Sequence, residues 1–274
     1  MLSLAEALDW RRRALFCAQL LMLALIAGCA SKDPSPTVPV AEPPPPAIPQ
    51  EVSVQRRSQL HTELAAGYYE RGQMDVALEE LKEASALDPN NAKTYNVYGL
   101  VYAVLGEQQK AEESFKKALA LAPQDAEIRQ NWGWYLCTHD RPRDSIAEFE
   151  AAVRNPLYKT PDIPLVNAAR CSALIGDAKA AESYYQRALR VAPGNEAAIY
   201  GLALLAYRSG RYEEARRWLK SSRQSTPSAE ELYLGMCTER RLGDGKAENS
   251  YAVQLRNRYP DSAEVKALGP GSCE

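Results

Sequence analysis

"AKTYNVYGLVYAVLGEQQKAEESFKKALALAPQD", Ala92 to Asp125, carries its fold in its spacing. Counted from Ala92, small residues stand eighth (Gly99), twentieth (Ala111) and twenty-seventh (Ala118), and large ones eleventh (Tyr102) and twenty-fourth (Phe115). Small side chains at facing positions let two helix backbones approach, and large ones fill the holes between them. Gly106, between the halves, suits a reversal that needs φ > 0. Pro123 cannot continue the second helix. The stretch predicts two antiparallel helices packed as a pair.

The same pattern recurs along the chain. Pro89, Pro123, Pro193 and Pro227 are separated by 123 − 89 = 34, 193 − 123 = 70 and 227 − 193 = 34 residues. A period of thirty-four is the tetratricopeptide interval. The small and large positions are filled by Ala65, Tyr68, Ala77, Leu81 and Ala84 before the quoted stretch, and by Gly133, Leu136, Ser145, Phe149 and Ala152 after it. Following a two-residue slip at Asn155 to Pro161 they are Ala169, Ser172, Ala181, Tyr185 and Ala188, then Ala203, Ala206, Ala215, Leu219 and Ser222. Turn glycines fall at Gly72, Gly106, Gly176 and Gly210. A last unit with Cys237, Arg240, Asn249, Val253 and Arg256 at these positions is degenerate, as a terminal repeat with one face in water can be. The expected fold is all-α, a right-handed tetratricopeptide solenoid of about six helix hairpins at 58–91, 92–125, 126–159, 162–195, 196–229 and 230–262, with a tail at 263–274.

The start of the chain differs. Arg11, Arg12 and Arg13 precede an apolar run from Ala14 broken only by Gln19. About fourteen residues suits a signal peptide core better than a membrane span, which needs roughly twenty. Ile26, Ala27 and Gly28 before Cys29 resemble the lipobox of bacterial lipoproteins. That resemblance implies a signal peptide at 1–28, cleavage before Cys29 and lipid on its sulfur, with more than one acyl chain needed for stable anchoring. Ala30, in place of aspartate, implies by the same resemblance sorting to the outer membrane, periplasmic side. "SKDPSPTVPVAEPPPPAIPQ", Ser31 to Gln50, holds eight prolines in twenty residues, a disordered polyproline spacer with roughly 60 Å of reach at about 3.1 Å per residue. The lipidated cysteine and linker are placed at 29–57.

Composition narrows the function. With 46% hydrophobic and 25% charged residues the chain can bury a core. Lys plus Arg is 33 against Asp plus Glu at 35, and no basic run follows residue 13, so nucleic acid is not an expected partner. Two histidines, His61 and His139, far apart in the repeats, offer nothing for a metal cluster or a histidine-based triad. Ser114 to Lys117 matches a Ser-x-x-Lys pattern without its companion motifs, and Gly243 to Lys246 lacks the upstream glycine and hydroxyl of a phosphate loop. No enzyme, cofactor, metal or small-molecule substrate is expected.

What remains is a concave surface of the kind on which solenoids hold extended peptides or helices. First-helix positions two, five, nine, twelve and thirteen face it, which singles out Tyr69, Asn96, Leu100, Gln130, Trp134, Tyr200 and Tyr207. In "NWGWYLC", Asn131 to Cys137, Trp132 reads as structural and Trp134 as a contact. Cys137 and Cys171 lie on neighbouring first helices, so a disulfide between them is favoured over two buried thiols. Cys237 reads as core and Cys273 as an unpaired tail thiol.

"NWGWYLC", Cys171 about one repeat later, and the ending "LGDGKAENSYAVQLRNRYPDS", Leu242 to Ser262, resemble the type IV pilus biogenesis lipoproteins, pilotins of the PilF/PilW family. The resemblance implies an outer-membrane lipoprotein that binds the secretin subunit of the pilus system and supports its localisation or multimerisation, and with it twitching motility. A lipoprotein scaffold for outer-membrane protein insertion or for regulating cell-wall enzymes is the alternative.

Overall fold

The computed structural model describes residues 50–223, 226–269 and 273; the signal segment, Cys29 and the proline-rich stretch before Gln50 lie outside the described residues. Thirteen helices occupy the described residues: α1 Gln50–Glu70, α2 Met74–Leu87, α3 Ala92–Val104, α4 Gln108–Leu121, α5 Ala126–Thr138, α6 Pro142–Val153, α7 Asp162–Leu174, α8 Ala178–Val191, α9 Glu196–Arg208, α10 Tyr212–Ser221, α11 Ala229–Leu242, α12 Gly245–Arg258 and α13 Ala263–Lys266. They pair in order as six antiparallel hairpins, α1/α2 to α11/α12, each packed on its neighbours.

Local chemistry sets most of the boundaries. Asn91, Asp125 and Asn195 each end one unit and cap the first helix of the next, their side chains accepting from backbone N–H groups of its first turn. Each such cap contributes about 1 kcal/mol. Ser228 does the same for α11 in a reciprocal capping box with Glu231. Five of the six hairpin turns hold a glycine at φ between 74° and 78°; the third places Asp140 there at φ 59°, a conformation aspartate tolerates better than most residues.

Packing inside each hairpin follows the small-facing-large rule. A Cβ on Gly99 would lie 2.7 Å from the Phe115 ring, and one on Gly133 2.8 Å from Phe149. Both phenylalanines are fully buried. Trp132 is buried beside Phe115, its ring 5.6 Å from that of Phe115 and 5.4 Å from that of Tyr135.

Among the glycines the tightest approach is one between units that the repeat pattern does not mark. Gly201 of α9 faces Tyr185 of α8, and a Cβ there would meet the ring at 2.2 Å. Tyr185 is buried and hemmed in, so Gly201→Val forces the two units apart. We expect a loss of about 1–3 kcal/mol, measured as a lower thermal midpoint by circular dichroism; an unchanged midpoint refutes the close packing.

Three expectations need correction. Helix α1 begins at Gln50 and not at residue 58, so the end of the linker assigned to 29–57 is helical. The last proline of the linker is Pro49, and nothing between it and Gly67 breaks a helix. The sixth unit starts at 229, one residue earlier than read. Met236, Glu239, Ala252 and Leu255 are among its buried residues, as is Cys237, while Arg240, Asn249, Val253 and Arg256 are exposed. The helix α10 has only ten residues, and the fifth unit runs from 196 to 228, one residue short of the repeat, which slides the register and makes a regular unit look degenerate. Cys273, finally, is bonded to Cys237, with S–S 1.97 Å and Cα atoms 5.3 Å apart. The tail therefore folds back onto α11.

Units three and four are joined by the long connection 154–161 in place of the four-residue links at 88–91 and 122–125. Two cross-links span this seam. Cys137 of α5 is bonded to Cys171 of α7, with S–S 1.99 Å and Cα atoms 5.9 Å apart. On the second helices Arg187 of α8 pairs bidentately with Glu150 of α6. The hydrogen bond from Arg187 holds the Glu150 carboxyl below its ordinary pKa of 4.5. This pair stabilises the fold above that value and loses its contribution as the pH falls through the lowered one.

Candidate partner-binding groove

The first helices α1, α3, α5, α7, α9 and α11 lie side by side in chain order. On α9 the residues Tyr200, Leu204, Tyr207 and Arg208 share a cleft of about 680 Å³ with Tyr233 and Leu234 of α11. They occupy positions five, nine, twelve and thirteen of their unit, which identifies the open face of a first helix. Positions nine and thirteen are one helical turn apart and stand on one stripe. The repeat carries that stripe along the stack as Leu100 and Val104 on α3, Trp134 and Thr138 on α5, Arg170 and Leu174 on α7, and Leu204 and Arg208 on α9.

Much of this stripe is uncovered and apolar. Val104 is 58% exposed, Trp134 39% and Leu174 71%. Single exposed apolar residues are ordinary, but recurrence on one stripe of successive units, at position nine or thirteen, builds a strip of the kind that binds polypeptide. Arg170 and Arg208 are exposed along its later half. Burial, with nearby carboxylates led by Glu230, pushes the Tyr200 phenol up, so this ring offers a neutral hydroxyl.

The residues singled out from sequence divide into two groups. Trp134 lies open on the stripe; Tyr69, Leu100, Gln130, Tyr200 and Tyr207 are half-buried along the same side. Asn96 is corrected: it is buried, and its amide oxygen accepts from Asn131 Nδ2 at 3.3 Å, so it ties α3 to α5 and offers a ligand nothing. Position five packs against the neighbouring first helix in the early units; Thr62, at the same position, is buried and hydrogen-bonded to Thr94 at 2.7 Å. Sequence reasoning overlooked Val104 and Leu174. The signal was there, an aliphatic residue at position thirteen of two units, one turn from position nine on the same stripe.

Stacked hairpins of this length, with an open row of first-helix side chains, define a tetratricopeptide-repeat protein. Family models of the tetratricopeptide repeat match residues 67–106, 92–125 and 176–237. The chain is 26% identical over 207 residues to the type IV pilus assembly protein PilF of Pseudomonas aeruginosa, an alignment spanning 75% of this chain and 82% of that protein. It superposes on the crystal structure of PilW, a widely conserved type IV pilus biogenesis factor, with a TM-score of 0.70 and 33% identity, covering 77% of this chain and 97% of that one. A structure of Pseudomonas aeruginosa PilF gives a TM-score of 0.70 at 25% identity, covering 78% and 97%. The chain belongs to the PilF/PilW family of tetratricopeptide-repeat proteins.

Proposed function

We propose that this protein is an outer-membrane lipoprotein, anchored through Cys29, whose groove binds a segment of the type IV pilus secretin and supports the localisation or multimerisation of that secretin. The observation that carries the groove reading is the exposed strip Val104, Trp134 and Leu174 on successive first helices. Family membership supplies the pilus context. The protein acts by binding and not by catalysis: an apolar strip flanked by arginines suits an extended or amphipathic segment with apolar anchors and an acidic flank.

Two measurements test this. In a strain lacking the protein, secretin is expected as monomers or in the inner membrane, and unchanged secretin rings in the outer membrane refute the proposal. Trp134→Asp places a charge at the centre of the strip while leaving the buried Trp132 cluster intact. Truncating a central aromatic anchor costs an interface about 2 kcal/mol or more, so secretin recovered with the purified variant should fall at least tenfold at unchanged helicity. Full recovery moves the binding face elsewhere.

A further inference from the structure

The far end of the groove is shaped by the chain's own terminus. Tyr207 Oη donates to the Cys273 carbonyl at 2.7 Å, and an Arg241 guanidinium nitrogen donates to the same oxygen at 2.9 Å. Two convergent side-chain donors on one main-chain carbonyl are how a groove holds a chain that has no sheet or helix partner of its own. Around this point the cleft is walled by Tyr200, Leu204 and Tyr233 on the helices and by Ala263 and Ala267 from the tail.

We infer that the cleft between units five and six is a subsite for an extended polypeptide, and that Cys273 occupies it in cis, latched by Cys237–Cys273. Two hydrogen bonds to a carbonyl are a modest hold that an incoming chain can reproduce. A covalent bond cannot be displaced by competition. The latch therefore decides whether the groove open to a partner stops at unit five or runs on through unit six. This inference rests on the reading that the first-helix face binds polypeptide, but its occupant is internal and its test needs no secretin.

The probe is a fluorescein-labelled peptide of residues 267–274 carrying Cys273→Ser. Fluorescence anisotropy is measured against the full oxidised chain, against a chain ending at Leu268 with Cys237→Ser, and against that shortened chain with Tyr207→Phe. The expected result is saturable binding to the shortened chain, none to the full chain, and about tenfold weaker binding after Tyr207→Phe, the loss of one hydrogen bond at roughly 1.4 kcal/mol per decade. Equal binding to the full chain, or none to a folded shortened chain, overturns the inference. If the shortened chain does not fold, hydrogen exchange on full-length Cys237→Ser/Cys273→Ser decides. Faster exchange confined to residues 263–273 supports a displaceable tail; equal loss of protection throughout α11, or no change in the tail, overturns it. Failure here leaves the pilus reading to its own genetic test, and failure of that test leaves the cleft's occupancy intact.

Discussion

Phe115→Ala is expected to destabilise the protein by about 3–5 kcal/mol, the range for deleting a fully buried phenylalanine. The ring is completely buried in α4, lies against Gly99 across its own hairpin, and packs 5.6 Å and 5.5 Å from the rings of Trp132 and Tyr135 in the next unit. Its loss opens a cavity shared by two repeats, and Gly99 has no side chain with which to fill it. Solenoid stability is a sum of repeat terms and nearest-neighbour interface terms, so both the second hairpin and its junction with the third weaken. Urea denaturation followed by circular dichroism measures the loss. A change below about 1 kcal/mol means the site relaxes and the ring is not the keystone of units two and three.

The second large effect is expected from opening the seam. Removing Cys137–Cys171 by Cys137→Ser/Cys171→Ser releases a cross-link of sequence separation 34. The chain-entropy model gives about 3–4 kcal/mol for a loop of that size, roughly a 10 °C lower thermal midpoint for a domain of this length. The bond joins α5 to α7 across the connection 154–161, where the regular link between units is interrupted, and Glu150–Arg187 still crosses the seam once it is gone. The control is a reductant strong enough to open both disulfides: under it, wild type and variant should melt together. A variant as stable as the wild type in oxidising buffer shows that apolar packing alone holds the seam.

The repeat was legible because its information is local. Gly99 and Phe115 are sixteen residues apart and meet within one hairpin, so their sizes must match wherever the unit recurs. Cap, turn and closing proline fall at constant positions for the same reason. The register of the last unit was misread because the pattern was carried across a fifth unit that is one residue short, and a helix frame displaced by one residue turns its buried set by about 100°. Capping at Ser228 with Glu231, three residues on, was the sequence signal that would have corrected it.

The groove was half legible. Positions nine and thirteen follow from helical geometry, and Trp134 stands out by its type. Asn96 was misassigned because an amide on a first helix can face either a ligand or the next repeat, and only the approach of Asn131 decides. Gly201 carries no mark of its own, since its partner Tyr185 belongs to the preceding unit.

By itself the sequence determined the hairpin, its period and its order along the chain, all consequences of contacts between residues fewer than thirty-four apart. Only the tertiary structure decided that the tail returns to α11, that Cys273 finds Cys237, and that Asn96 is spent between helices. Those depend on where a chain arrives after a whole hairpin, a small difference in connection length that no local spacing records.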